Sequence, residues 1–134
     1  MPVSKAIVIE KFGNPSEVAQ VVEQNVTDEL QAGEVLVKML FSPINPSDYL
    51  TLMGSYPAGV TEFPYIPGFE GVGEVVKSAS GEYEQGDRVI INAQQWGKWR
   101  QFGVTKEQFL QKIPKQLPSE IASTLIVNPL SAFL

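Results

Sequence analysis

Gly68-Phe69-Glu70-Gly71-Val72-Gly73-Glu74-Val75 is the stretch of sequence that decides the fold. Glycines inside an apolar, β-branched run mark a bulge or a place where another backbone approaches closely. Their spacing differs from the G-x-G-x-x-G dinucleotide fingerprint. Such a fingerprint also needs a strand before it and a helix after it, and the sequence predicts neither here. The stretch therefore predicts a β-strand from about Gly71, and not a phosphate-binding loop.

Further apolar, β-branched runs on both sides of this stretch predict more short strands. Together with the opening stretch and with residues 99–104, the predicted strands cover residues 4–10, 18–22, 34–41, 71–76, 87–91, 99–104 and 109–113. The run 34–41 is uninterrupted and suits an interior strand that is buried on both faces. Short strands at short intervals, with turn residues between them, favour a compact antiparallel barrel.

A short helix is predicted after the central run. Residues 45–48, Asn-Pro-Ser-Asp, combine a capping side chain with a proline that is well tolerated in the first turn, and Gly54 ends the helix after about Met53. Asp48 is expected to be an exposed acid that interacts with the helix dipole and has no chemical role. The segment 55–67 is rich in proline and aromatic residues, which predicts a stiff loop.

The last residues predict a change of structure. Ser119 is suited to cap a helix that begins at the next residue, and Asn128-Pro129 has the pattern of a second helix start. A single helical turn is marginal by itself, so either this tail docks back on the barrel or the natural polypeptide continues beyond Leu134. We expect residues 1–118 to form one domain and residues 119–134 to begin a connection into a further one.

Composition excludes several functions. The chain has no Cys and no His, which argues against a zinc centre and against thiol chemistry. Its net charge of -5 gives no electrostatic attraction to nucleic acid. No apolar run approaches the ~20 residues that cross a bilayer, so we expect no membrane partner. Because no secretion signal is recognisable either, we expect a cytoplasmic protein.

The opening glycine stretch, taken together with Gly86-Asp87-Arg88-Val89, resembles the paired signatures of the GroES-like domain of medium-chain dehydrogenases/reductases. The resemblance implies a mainly β fold with short helices, arranged as a partly open β-barrel that precedes a Rossmann α/β cofactor domain. The family pattern usually has a zinc-binding His where this chain has Phe69, and the cysteines of the family's structural zinc lobe are absent. The resemblance therefore points to the zinc-free branches, chiefly the quinone reductases and the 2-enoyl thioester reductases.

Three further passages are similar to mitochondrial-type enoyl thioester reductases, and a fourth resembles their run into the cofactor domain. These passages are residues 43–48, 54–57 and 97–100, and then residues 127–129. The resemblance implies NADPH-dependent reduction of a conjugated C=C bond, with a 2-enoyl thioester as the small-molecule substrate. Quinone reductases share much of this scaffold, so reduction of a quinone or alkenal is an alternative. An alternative of another class is a non-catalytic GroES-like binding module.

By the resemblance, Tyr56 matches an active-site tyrosine that orients the substrate carbonyl and protonates the product. Without the resemblance, Tyr56 is better explained as a loop tyrosine stacked on Phe63 and Tyr65. Asn45 matches a cleft residue near the nicotinamide, and it is equally suited to cap a turn. Trp99 is assigned to the substrate pocket, although large aromatics of a short barrel are more often core.

Other expectations concern the whole protein. The resemblance implies that the full-length enzyme binds NADPH but no zinc, and that it forms a homodimer. Because the 134 residues hold no phosphate-cradling glycine motif, this chain alone is expected to bind no cofactor and to be inactive. Glu70 and Arg88 are expected to form a structural ion pair inside the barrel.

Overall fold

The computed structural model describes residues 2–56, 60 and 62–127, which form mainly β-structure with short helices, as predicted. The strands are β1 (Val3–Val8), β2 (Gln20–Asn25), β3 (Glu34–Phe41), β4 (Val72–Ser78), β5 (Arg88–Ile91), β6 (Phe102–Lys106) and β7 (Leu110–Lys112). The helices are α1 (Pro15–Val18), α2 (Pro46–Leu52) and α3 (Ser119–Ala122), and a 3-10 turn covers Glu107–Phe109. No helix in this described part is long and apolar enough to cross a membrane.

The strands form two antiparallel sheets. β1 pairs with β2, and the other five strands follow the order β6-β3-β4-β5-β7. Isolated bridges from Ala6 to Arg100 and from Ile9 to Tyr65 attach the first sheet to the rest of the chain. The strands among the described residues do not close into a complete barrel, which confirms the predicted partly open form. β3 lies between β6 and β4, so its predicted interior position is also confirmed.

The glycines of the signature allow β3 and β4 to pack closely. A Cβ atom at Gly73 would lie 2.3 Å from the Val37 side chain, and one at Gly71 would lie 2.9 Å from the carbonyl oxygen of Phe41. The pairing of the two strands also shifts register twice, which bends them. Any larger residue at Gly71 or Gly73 would therefore separate two paired strands.

The main core lies on one face of the five-stranded sheet. It contains Val35, Val37, Val75, Val89, Ile91 and Leu110. Val35 and Val37 are two residues apart and therefore project to the same face of β3. A second cluster, built from Ile9, Val18 and Leu52, joins the first sheet to α2.

The starts of β2, β6 and α3 differ from the prediction for reasons that the structure shows. β2 begins at Gln20 because Pro15–Val18 form α1, whose first turn is capped when the Asn14 side chain accepts from the Ser16 amide at 3.1 Å. β6 begins only at Phe102, since the residues before it hydrogen-bond to β1. α3 starts at Ser119 with Pro118 in the capping position, so Ser119 is not the cap. The predicted second start at residues 128–129 lies outside the described residues.

Candidate functional site

A cleft of about 220 Å³ opens beside Tyr56. Its walls come from α2, from the segments that flank β4 and β5, and from the chain that follows α3. The lining residues are Ser47, Tyr56, Phe69, Asn92, Ala93, Gln94, Lys98, Ile126 and Val127. A phenol, a hydroxyl, two carboxamides and an amine therefore converge on one apolar-backed space, which is the usual composition of a small-molecule site.

The turn after α2 delivers Tyr56 to this cleft. Gly54 has φ +76, a left-handed conformation that glycine adopts without strain and that ends the helix. Tyr56 is 41% exposed, and its ring meets the edge of Phe69 with 5.6 Å between the centroids. The stacking on Phe63 and Tyr65 that the sequence alone favoured is not what the structure shows, because Phe63 packs on Phe12 instead.

Asp48 is completely buried, and the prediction of an exposed acid was wrong. One carboxylate oxygen accepts from the Asn45 amide at 2.8 Å, and the other accepts from the Phe69 amide at 3.1 Å. Burial raises the pKa of Asp48, and these two amide donors oppose that effect. Asp48 thus joins the start of α2 to the residue that supports the Tyr56 ring.

Glu70 is also buried, and its partners are not the predicted ones. One carboxylate oxygen accepts from the Asn45 side chain at 2.8 Å, and the other accepts from the amides of Ile126 and Val127 at 3.2 and 3.1 Å. The predicted ion pair with Arg88 is wrong. Arg88 donates to the Ser119 hydroxyl at 2.9 Å and to two carbonyls of the 114–115 turn, because its strand faces that turn.

Asn45 lies behind the cleft wall. Its side chain is 5% exposed and donates to Glu70, and the same residue begins α2, which carries Ser47 into the cleft. The structure therefore brings Asn45 and Tyr56 to the same region but gives Asn45 little surface for a ligand. Its role toward a cofactor stays a prediction.

Trp99 does not line the Tyr56 cleft. It packs against the second core cluster and lines a separate shallow depression of about 200 Å³ beside β1. Trp96 packs against the main core and lines a third depression, of about 360 Å³, near Phe109. Both tryptophans thus serve the core, as their size suggested, and the substrate role of Trp99 stays a prediction without support from its position.

The residue that sequence reasoning missed is Lys98. It is 1% exposed and lines the cleft, and its ammonium donates to the carbonyl of Ala93 at 2.6 Å. Burial lowers the pKa of Lys98 from 10.5 to about 8; Arg100 adds to this shift, whereas Asp48 and Glu70 oppose it. The sequence does contain one signal for this burial, the glycine directly before Lys98. Because Gly97 has no side chain, the backbone of Ile66 and Pro67 can lie close to it, and this contact buries the segment.

Metal ligands are not gathered anywhere in the part of the chain that the structure describes. No group of three or more Asp, Glu, His or Cys side chains there is arranged to hold an ion.

Residues 31–115 match the protein family described as the alcohol dehydrogenase GroES-like domain. The chain belongs to this family. The GroES-like chain is 41% identical over 132 residues to the mitochondrial enoyl-[acyl-carrier-protein] reductase of Caenorhabditis elegans. This alignment covers 98% of this chain and 38% of that relative. The chain thus spans less than half the length of the curated relatives it matches.

Solved structures of other proteins also resemble the GroES-like chain. The complex of Etr1p with NADP and crotonyl-CoA superposes with a TM-score of 0.89 at 30% identity, covering 100% of this chain and 43% of that one. A putative NADPH:quinone reductase from Bacillus thuringiensis superposes with a TM-score of 0.84 at 36% identity. The superposition covers 99% of this chain and 40% of the quinone reductase. Both branches that the sequence pointed to are therefore represented among its relatives.

The expected cytoplasmic location of the GroES-like chain is contradicted by these relatives. Those from Caenorhabditis elegans, Dictyostelium discoideum and Arabidopsis thaliana are all named as mitochondrial enzymes. The expectation failed because lack of a secretion signal separates secreted proteins from others and does not distinguish between soluble compartments inside a cell.

Proposed function

We propose that this chain is the substrate-side part of an enzyme that uses NADPH to reduce the conjugated C=C bond of a 2-enoyl thioester. The observation that carries the proposal is the partly exposed Tyr56 in a cleft lined by neutral polar groups and a buried amine. Support comes from the relatives, which are named enoyl-[acyl-carrier-protein] reductases, and from the similar structure that holds NADP and crotonyl-CoA.

The role of Tyr56 follows from the chemistry of such a reduction. NADPH, when bound, supplies a hydride to the β carbon of the conjugated thioester. The thioester oxygen then becomes negative, and the α carbon needs a proton. The Tyr56 hydroxyl would donate a hydrogen bond to that oxygen and would pass a proton from solvent to the α carbon, because it lines the cleft in which the thioester would lie. The edge contact with Phe69 fixes the direction of the Tyr56 ring.

The cleft fits one end of the cofactor only. Ser47, Asn92 and Gln94 offer neutral donors and acceptors of the kind that match a nicotinamide carboxamide. The described residues offer no glycine-rich cradle for the cofactor phosphates. We therefore assign Asn45 and the α2 helix that it begins to the nicotinamide side of the cleft, and we assign phosphate binding to residues outside this chain.

The same proposal covers the organisation of the whole protein. Residues 1–118 would form the substrate-side domain, and residues 119–134 would start the connection to the cofactor domain. The complete enzyme would work without zinc, since the chain contains neither Cys nor His. We also propose that the complete enzyme forms a homodimer. A similar structure, that of Etr1p and Etr2p of Candida tropicalis, is a dimer of two different chains.

The test uses the complete polypeptide that the gene encodes, with crotonyl-CoA and NADPH followed by absorbance of the reduced cofactor. Tyr56→Phe removes the hydroxyl and is expected to lower kcat ~100-fold with an unchanged urea midpoint. Tyr49→Phe is the matched control, because Tyr49 is an exposed tyrosine of α2 that does not line the cleft. Equal turnover by Tyr56→Phe and the unsubstituted protein would remove Tyr56 from the mechanism.

Reduction of a quinone or alkenal is the second candidate. It is favoured by the 36% identity to the putative quinone reductase, which exceeds the 30% identity to the Etr1p complex. A simple quinone assayed beside crotonyl-CoA separates the two candidates, and saturable NADPH oxidation with the quinone alone would reject the thioester. The isolated 134-residue chain is expected to bind NADPH too weakly to titrate, so clear saturation would contradict the assignment of phosphate binding to other residues.

A further inference from the structure

The wall of the Tyr56 cleft contains a buried cation. Lys98 is 1% exposed, it lines the cleft, and its ammonium donates to the carbonyl of Ala93, which lines the cleft as well. The ammonium is therefore hydrogen-bonded to a residue of the cleft wall. Tyr56 lines the same cleft, so a ligand held by the tyrosine lies in the field of this cation.

The neighbouring acids do not use this cation as a close ion-pair partner. Asp48 accepts from the amides of Asn45 and Phe69, and Glu70 accepts from Asn45 and from two amides after α3. Among the described residues, the Lys98 ammonium has one hydrogen-bond acceptor, the Ala93 carbonyl, although an ammonium carries three donors. Arg100 acts on Lys98 as a further positive charge.

A buried ammonium with unused donors is unfavourable for folding, and such arrangements concentrate where the charge has a function. Burial lowers the pKa of Lys98 to about 8, so it carries its proton at neutral pH. The low polarity that makes the charge unfavourable also strengthens its attraction to a nearby anion. An anion that forms in this cleft during a reaction is the partner that the arrangement lacks.

We infer that Lys98 is a second catalytic residue of the Tyr56 cleft, which stabilises the negative thioester oxygen formed when hydride reaches the β carbon. This inference rests on the proposed thioester reduction. Hydride adds to the β carbon at the expense of NADPH, which is thereby oxidised to NADP, and the π electrons of the C=C bond move to form an enolate. A proton from solvent then adds to the α carbon, which restores the thioester carbonyl. Lys98 neither gains nor loses a proton in these steps; it lowers the energy of the enolate by charge and hydrogen bonding.

Three substitutions in the complete polypeptide separate charge from packing. Lys98→Gln keeps a donor for the Ala93 carbonyl but removes the charge, Lys98→Met keeps only the stem, and Lys98→Arg keeps the charge. We expect kcat with crotonyl-CoA to fall ~100-fold in the Gln and Met variants, with KM changing less than ~3-fold, and Lys98→Arg to recover part of the loss. Lys38→Gln, which removes an exposed ammonium from β3, is the control and should retain full activity.

The pH dependence provides a readout that packing alone would not move. kcat/KM of the unsubstituted protein should fall above pH about 8, where Lys98 loses its proton. Lys98→Arg should shift that loss to higher pH, and Lys98→Gln should abolish it. The profile of the unsubstituted protein requires no variant, so a level profile would reject the role of Lys98 even where a variant does not fold.

A failure of the proposed function can be distinguished from a failure of the role of Lys98. If the unsubstituted protein does not reduce crotonyl-CoA, the proposed function is wrong and this inference falls with it. If it does reduce crotonyl-CoA while folded Lys98→Gln keeps kcat within ~2-fold, or while kcat/KM stays level from pH 7 to pH 9.5, the proposed function stands and Lys98 has no catalytic role.

Discussion

Replacing Lys98 by Met is expected to stabilise the folded chain at neutral pH, although the same change should impair activity. The lysine is 1% exposed, and burial lowers its pKa from 10.5 to about 8. Between these two values the unfolded chain holds the proton more tightly than the folded chain. The lysine therefore destabilises the fold fully below pH 8, and this penalty decreases as pH rises toward 10.5.

The two pKa values set the magnitude. They correspond to about 3 kcal/mol of destabilisation at pH 7 and to about 1 kcal/mol at pH 9.5. Met fills most of the space of the lysine stem, but it leaves the Ala93 carbonyl without its donor, which costs about 1 kcal/mol. The net gain for Lys98→Met is therefore about 2 kcal/mol at pH 7 and about zero at pH 9.5.

Urea unfolding of the 134-residue chain, followed by tryptophan fluorescence at both pH values, measures this difference. Lys38→Met is the control, because Lys38 is exposed on β3 and its loss should change stability by less than ~0.5 kcal/mol. A Lys98→Met protein that is less stable than the unsubstituted chain at pH 7, or whose advantage does not change with pH, would refute the reasoning.

Three further changes test the backbone and one buried acid. Gly97→Ala would place a Cβ atom 1.8 Å from the carbonyl oxygen of Ile66, so it should lower the free energy of unfolding by more than ~3 kcal/mol or prevent soluble expression. Glu70→Gln weakens three hydrogen bonds and should cost about 1–3 kcal/mol in urea unfolding. Gly54→Ala forces a residue with a Cβ atom to φ +76 and should cost about 1 kcal/mol by calorimetry, whereas Gly81→Ala, which has open space around it, should stay within ~0.5 kcal/mol.

The strands were predictable because their signals are local. Alternating or continuous apolar runs placed β1, β3, β4, β5 and β7 within about two residues, and the capping pattern at Asn45 placed α2. The boundary errors arose where a longer-range contact decides the structure. Residues 99–101, Trp-Arg-Gln, fell inside the predicted strand, but they hydrogen-bond to β1 before β6 begins.

The site was predictable only in part, because burial of a charge leaves no periodic signal. Tyr56 came from a resemblance and does lie on a cleft. Asp48 looked like a surface acid of a first helical turn, yet its partner Phe69 lies 21 residues away in sequence. Lys98 stands in a polar stretch and is buried by contacts that no local pattern encodes. Glu70 was paired with the wrong partner for the same reason, since its acceptor oxygens meet residues 56 and 57 positions later.

The positions of the two tryptophans give this chain a pair of separate optical probes. Trp96 packs on the main core with the Arg100 guanidinium 4.2 Å from its ring, while Trp99 packs on the other cluster, where its indole N–H has no acceptor among the described residues. The chain contains no other tryptophan. Replacing either one by Phe would leave an emission signal that belongs to a single cluster, so the loss of order around each could be timed independently.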